Sequence, residues 1–397
     1  MSALTKLFLG SSATSAAASG LNLLGTVLVV RWFGAPTYAH YVVDLAMVSL
    51  MMTILEIVPS NYSVFRIQDD PTWQRSVAAQ ISVTIVLALV VVTTLGSFSS
   101  LFQAYTGWIA VYAGTLAVKR YLDLRLQSSG RLQEFLNIEV VSSFLRLLLL
   151  GAFSTTHAKG TAVWSSLALG TALSQASWWM RNPKELAAFS GFLDSRAWTA
   201  LAANTPAYVP YYGGILLKRL KDNIVPIVAN RLFVSREVLA TFLLALRGVV
   251  FAVGQVRILE ALMNHRATLN AAAAISRRNY RLVALAAQAV CVTASAALMV
   301  SSSLKELPWL ASLILSFMVW PVLYLTIERA KAYSTFHANR VNAAISAYLV
   351  VVVASAYLLR LSGYVSVTAF AGALVLAESC GYAVLRLSAR KVSVVAH

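Results

Sequence analysis

Stretches of about 20 mostly apolar residues, the length an α-helix needs to cross a hydrocarbon core, recur twelve times along this 397-residue chain. They run roughly over 8–30, 38–64, 76–97, 101–118, 138–155, 161–180, 199–230, 237–259, 282–304, 307–327, 341–359 and 364–385. The expected product is an all-α integral membrane protein with about 12 transmembrane helices. A composition that is 59% hydrophobic and 12% charged agrees, since soluble domains hold fewer apolar residues and more charge. The first run is longer than a signal-peptide core and is followed by many others, so it reads as a retained span.

The 32 Lys and Arg residues outnumber the 15 Asp and Glu, for a net charge of +17. Nucleic-acid binding would need a continuous basic face, and here the bases come in small groups between apolar runs. Short cytoplasmic loops are enriched in Lys and Arg. Twenty bases fall on one set of loops: Lys6; Arg66 and Arg75; Lys119, Arg120, Arg125 and Arg131; Arg181, Lys184 and Arg196; Arg266, Arg277, Arg278 and Arg281; Arg329, Lys331 and Arg340; Arg386, Arg390 and Lys391. The opposite loops hold six, namely Arg31, Lys159, Arg231, Arg236, Lys305 and Arg360. With an even number of spans, both termini are expected in the cytoplasm.

No loop is long enough for a soluble domain, the longest being 119–137 and 260–281. HExxH, Walker A, nucleophile-elbow and Cys/His metal patterns are missing from the sequence, and Cys291 and Cys380 stand apart. Neither an enzyme nor a metal or cofactor protein is expected. The stretch Lys119–Phe135 mixes apolar residues with Arg and Asp, which suits either a helix lying at the interface or an extension of the fourth span. Trp73, Trp108, Trp164, Trp178, Trp179 and Trp309 sit at span ends, where an interfacial aromatic belt is expected.

Twelve spans divide into two six-span halves, 1–198 and 199–397, and transporter folds often carry such repeats. Arg31, Trp32 and Phe33 after the first span are echoed by Arg231, Leu232 and Phe233 after the seventh.

The N-terminal stretch carries a resemblance. Gly20, Leu21 and the run ending in Arg31, Trp32, Phe33 and Gly34, followed by Tyr38 and Tyr41, resemble the "RWLG…YG.Y" signature of the multidrug/oligosaccharidyl-lipid/polysaccharide (MOP) exporter superfamily, and most closely its Wzx-type polysaccharide flippases. The segment Leu126–Phe135, with Ser128, Ser129, Gly130 and Arg131, is similar to the short basic loop between spans four and five, and Asp222 matches an Asp late in span seven. Ala39 and His40 replace the usual Gly between the tyrosines. The resemblance implies two pseudo-symmetric six-helix lobes around a central cavity open alternately to either side, and an undecaprenyl-pyrophosphate-linked oligosaccharide as cargo.

A cation at the bilayer centre costs about 2.5–3.5 kcal/mol on insertion scales, so the bases inside spans need partners or a wet cavity. They are Arg146, Lys218, Arg219, Lys221, Arg247 and Arg257. All six are expected to bind anionic cargo, with Glu139 a candidate partner for Arg146 and Asp222 for one cation of its cluster. If helix seven continues to Asn230, the 218–222 cluster lies inside the span; if it ends at Leu217, the cluster is an external loop. The in-span carboxylates Asp44, Asp222, Glu56 and Glu378 are candidates for H+ or Na+ coupling or for charge pairing, Glu56 with Arg66 and Glu378 with Arg386. Tyr208, Tyr211 and Tyr212, in a Pro- and Gly-interrupted segment, are candidates for stacking on sugar rings.

The expected function is that of a bacterial inner-membrane flippase moving a lipid-linked oligosaccharide for surface polysaccharide synthesis, with a polysaccharide polymerase and other assembly proteins as partners. The alternatives are a drug or metabolite antiporter of the same superfamily and a membrane-embedded polysaccharide polymerase. The topology is directly testable. Single cysteines introduced at Lys6, Arg131 and Arg266 in a Cys291/Cys380-free background should be shielded from a membrane-impermeant thiol reagent in whole cells, whereas cysteines at Lys159, Lys305 and Arg360 should react; the opposite pattern would invert the assignment.

Overall fold

The computed structural model describes residues 3–56, 60–70, 73–98, 105–155, 159–186, 195–263, 277–301, 309–334 and 338–395. Every regular element among them is helical: α1 (Ala3–Phe33), α2 (Ala35–Ile54), α3 (Ser60–Asp69), α4 (Trp73–Phe98), α5 (Thr106–Ser128), α6 (Leu132–Ser154), α7 (Lys159–Arg181), α8 (Pro183–Leu186), α9 (Ser195–Ala203), α10 (Thr205–Leu232), α11 (Arg236–Met263), α12 (Arg277–Ser301), α13 (Trp309–Ser316), α14 (Val319–Ser334), α15 (Ala338–Leu361) and α16 (Val367–Val395). Among the described residues eight spans, on α1, α2, α4, α6, α12, α13–α14, α15 and α16, are long and apolar enough to cross a membrane. With α5, α7, α10 and α11, which are 23 to 28 residues long, each of the twelve apolar runs is carried mainly by helix among the described residues, the 38–64 run divided between α2 and α3 and the 199–230 run between α9 and α10. The protein is an all-α membrane protein.

Contacts divide the chain into two compact units. The first comprises Met1–Gly25 and Met47–Leu216, the second Thr26–Ala46 and Leu217–His397. The boundary falls within α10, between Leu216 and Leu217, and the segment 26–46 joins the second unit.

Within the first unit, α6 packs along α7, α4 along α5, and α5 against α7. Small residues allow the close approaches that helices in lipid depend on. A Cβ on Gly170 of α7 would lie 2.9 Å from the Arg146 backbone nitrogen and 3.0 Å from its Cα. In the second unit, α15 packs along α16 and α11 along α12. There a Cβ on Gly381 would lie 3.0 Å from the Ala344 carbonyl, and one on Gly248 would collide with the Ser295 side chain.

Turn chemistry sets several boundaries. Gly34, at φ 91°, ends α1 and its amide donates to the Val30 carbonyl at 2.9 Å; most other residues would be strained there. The Arg231–Phe233 echo likewise marks the end of α10, and Phe33 and Phe233 are both buried, the latter against Phe242 and Phe370. Gly130, at φ 71°, closes α5 in a Schellman arrangement: its amide donates to Gln127 and that of Arg131 to Leu126. No separate interfacial helix is present over the 119–135 stretch. Its first part continues α5 to Ser128, and α6 begins at Leu132.

The span over 309–326 breaks at Phe317 and Met318. Pro321 in the next turn has no N–H to donate and its ring crowds the carbonyl four residues back, which is Phe317. Trp73, Trp164 and Trp178 are buried within the first unit rather than forming a belt; Trp164 packs against Tyr112 with ring centroids 5.9 Å apart.

Replacing Gly170 with valine should destabilise the protein by about 1–3 kcal/mol through forced separation of α6 and α7. Gly151→Ala, where a Cβ meets nothing within 4 Å, should be neutral or slightly stabilising. Thermal melting in detergent measures both.

Candidate functional site

Each unit contains a buried ion pair, and the two pairs have different surroundings. In the first unit the pair sits where α2 ends. The last carbonyls of a helix lack intrahelical donors, and here side chains from three other helices supply them. Arg120 of α5 donates to Met52 O at 2.9 Å, Tyr212 of α10 to Ile54 O at 2.9 Å and Thr84 of α4 to Leu55 O at 3.2 Å. Arg120 also donates to Glu56 Oε2 at 2.8 Å and to Thr53 Oγ1 at 3.1 Å. Its side chain is 7% exposed and that of Glu56 3%.

Glu56 thus pairs with Arg120 and not with Arg66, which instead faces Asp70 across one helical turn at 3.9 Å. Sequence sorting had placed Arg120 among loop bases, since it lies just past an apolar run. The continuation of α5 carries it into the packed interior. No residue near Arg120 in sequence announces this, because its partner is 64 positions away.

A second network ties α5, α6, α7 and α8. Arg125 donates twice to Glu185, at 3.0 and 3.2 Å, Arg131 donates to Glu134 at 2.6 Å, and the Trp178 indole donates to Glu134 at 3.4 Å. Gln74 donates to the Tyr121 hydroxyl at 2.9 Å. Lys119 takes Glu139 at 2.6 Å. Glu139 is therefore not the partner of Arg146, which lies half-buried on α6 behind Gly170.

In the second unit α10 continues through 218–222, so the cluster lies on helix rather than in a loop. Pro206 sits in the first turn, where its missing N–H is harmless, and the interruption falls just before it at Asn204. Lys221 Nζ lies 2.6 Å from Glu378 Oε2 of α16 and 4.5 Å from the centroid of the Tyr348 ring of α15. The Lys221 side chain is 12% exposed and that of Glu378 4%. Glu378 is thus not paired with Arg386, which instead reaches Tyr382 at 3.4 Å. Lys221 is the residue of this cluster that pairs with Glu378, and Asp222, expected to neutralise one cation of the cluster, is the next residue of the same helix.

Beside this pair is a cavity of about 110 Å3. Its polar lining is Lys221, Asp222, Thr326, Tyr348 and Glu378, and the remainder is aliphatic apart from Met318. The sequence pointed to a cationic cavity. Here one ammonium faces two carboxylates, because Glu378 arrives from a helix 157 residues downstream.

The other anticipated residues are dispersed. Lys218 and Arg219 are half-buried on α10, and Arg247 is half-buried on α11 beside the tightly packed Gly248. Asp44 is buried on α2 within the field of Arg236. Tyr211 is only 4% exposed, and the Tyr212 hydroxyl donates to the Ile54 carbonyl. The side chains of Arg257 and Tyr208 and the loop bearing Arg266 lie outside the described residues.

No protein-family model and no curated protein matches the chain. Solved structures do. An outward-facing multidrug resistance MATE family transporter of the MOP superfamily superposes with a TM-score of 0.69 at 14% identity, over 97% of this chain and 94% of that one. The fold is that of the MOP superfamily transporters. A MOP transporter from Pyrococcus furiosus, described as having a binding pocket of reverse polarity, gives a TM-score of 0.67 at 14% identity over 97% of this chain and 94% of that one. A eukaryotic MATE transporter gives 0.63 at 10% identity, over 96% of this chain and 93% of that one. These likenesses establish the MOP fold and carry no residue roles with them. The buried pairs therefore have to be read from this chain alone.

Breaking a buried pair from one side leaves an uncompensated charge. Arg120→Met should cost about 3–5 kcal/mol, whereas Arg120→Met with Glu56→Gln should recover most of that loss. A thermal double-mutant cycle measures the coupling, and equal losses in the single and double variants would remove the pair as an organising contact.

Proposed function

We propose that this protein is a multi-pass exporter of the drug-antiporter kind, which moves amphipathic organic cations out of the cell in exchange for H+ or Na+. The observation that carries this reading is the polarity of the second unit's cavity. Two carboxylates against one ammonium, among largely aliphatic walls, suit a cargo that is both apolar and positively charged. The superposition on multidrug MATE transporters supports the same reading at the level of fold.

In this scheme Asp222, exposed on the cavity wall, meets the cargo's charge, and the aliphatic residues of α10, α11 and α14 meet its apolar body. Asp44, buried within the field of Arg236, is the carboxylate assigned to ion exchange. The scheme needs no bond to be made or broken. It places the protein in a bacterial inner membrane with both termini in the cytoplasm, and rocking of two lobes supplies alternating access.

A second reading keeps the lipid-linked oligosaccharide as cargo, with a polymerase and other assembly proteins as partners. It is favoured by the half-buried bases Arg146, Lys218, Arg219 and Arg247, which would offset the desolvation of a pyrophosphate.

Efflux of a fluorescent organic cation such as ethidium from energised cells lacking their own pumps separates the two. The first reading expects faster efflux than vector controls, reduced at least about tenfold by Asp222→Asn, the equivalent of about 1.4 kcal/mol of lost charge recognition. Accumulation equal to the vector control, together with flipping of a labelled polyprenyl-pyrophosphate glycolipid in vesicles that Arg146→Ala abolishes, would replace it with the second.

A further inference from the structure

The arrangement around Glu378 has the chemistry of a cation site that is already filled. A carboxylate and an aromatic face together recognise ammonium groups, the first by charge and the second by its quadrupole. Glu378 and Tyr348 present both to one point, and the group at that point is the chain's own Lys221 Nζ, 2.6 Å from the carboxylate oxygen and 4.5 Å from the ring centroid. The three residues come from three helices, α10, α15 and α16.

Two observations separate this from an ordinary structural ion pair. The pair borders a cavity of about 110 Å3, enough for several waters when one needs about 10–15 Å3. The Arg120 guanidinium, by contrast, donates to the Met52 carbonyl and the Thr53 hydroxyl as well as to Glu56. Lysine is also a point charge on a flexible four-carbon stem, able to leave and return, unlike a forked guanidinium.

We infer that Glu378 and Tyr348 form a monovalent-cation site in which Lys221 is the resident, tethered cation, standing where an alkali metal or alkylammonium ion would otherwise bind. The native site is closed to free cations as long as Lys221 occupies it. The inference rests on the geometry of the second unit and does not depend on which cargo is carried.

Removing the tether opens the site. In Lys221→Ala, the buried carboxylate is left without its cation and the space of the lysine stem is vacated. Saturating methylammonium or Na+, each compared with a bulky cation at equal ionic strength, should raise the melting temperature of this variant by about 5 °C. The same additions should leave wild type and Lys221→Ala/Glu378→Gln unmoved. A response to methylammonium alone assigns the site to alkylammonium ions, and one to Na+ alone assigns it to alkali metal.

A folded Lys221→Ala variant indifferent to both cations would overturn the inference, since the carboxylate would then be satisfied simply by taking up a proton. Failure of Lys221→Ala to fold in either cation, while the double variant folds, would overturn it equally. The isosteric Glu378→Gln gives an independent measure. It should raise acylation of Lys221 by an amine reagent at least about tenfold, read by mass spectrometry, and labelling equal to wild type would show that Glu378 does not hold the lysine in place.

Discussion

A charged group inside a lipid-embedded helix bundle has to be met by another polar group, because the hydrocarbon offers no water to do so. The end of α2 shows how far that requirement organises structure. The Met52 and Leu55 carbonyls and the Glu56 carboxylate are buried or partly buried acceptors, the Ile54 carbonyl is exposed, and the donors come from α4, α5 and α10. Four helices of the first unit are thereby fixed at one point. Swapping Arg120 for an apolar residue would strand Glu56 and also release the Met52 carbonyl, which makes the guanidinium hard to replace by lysine or by packing alone.

The same requirement is met differently in the second unit. Lys221 and Glu378 neutralise each other, but a cavity borders the pair and Asp222 lies on its wall. One pair is surrounded by structural hydrogen bonds and the other borders open volume. Charge pairing holds helices together in both places, and in the second the pair borders a cavity with room for another molecule. That difference, rather than the mere presence of buried charge, is what marks a candidate site.

The spans were legible because their signal is local. Most of the twelve apolar runs map onto single helices, the 38–64 and 199–230 runs being divided between two, and turn glycines such as Gly34 and Gly130 sit at the ends of α1 and α5. Partner choice was not legible because it is set by contacts 64 and 157 residues apart. Sequence proximity suggested Arg66 for Glu56, Arg386 for Glu378 and Glu139 for Arg146, and each of these pairings is replaced by one between helices. The positive-inside pattern also misplaced Arg120, since a base just beyond an apolar run can belong to a helix that continues past it. Tryptophans at span ends were ambiguous in the same way. An aromatic near an interface can face lipid or pack inward, and Trp73, Trp164 and Trp178 pack inward.

The polarity of the cavity follows from these partnerships and bears on cargo. Counting in-span bases along the chain overstates the positive character of the site, because each base brought to a carboxylate by folding ceases to act as a free positive charge at distance. Lys221 is neutralised in this way, and the lining of the cavity holds two carboxylates to its one ammonium. For an anionic lipid-linked cargo, the bases that matter would have to be Arg146, Lys218, Arg219 and Arg247, none of which lines that cavity. The acceptor-rich cavity and the dispersed half-buried bases therefore make opposite demands on a ligand. A single pyrophosphate cannot use both, whereas an amphipathic cation can occupy the cavity without engaging the bases at all.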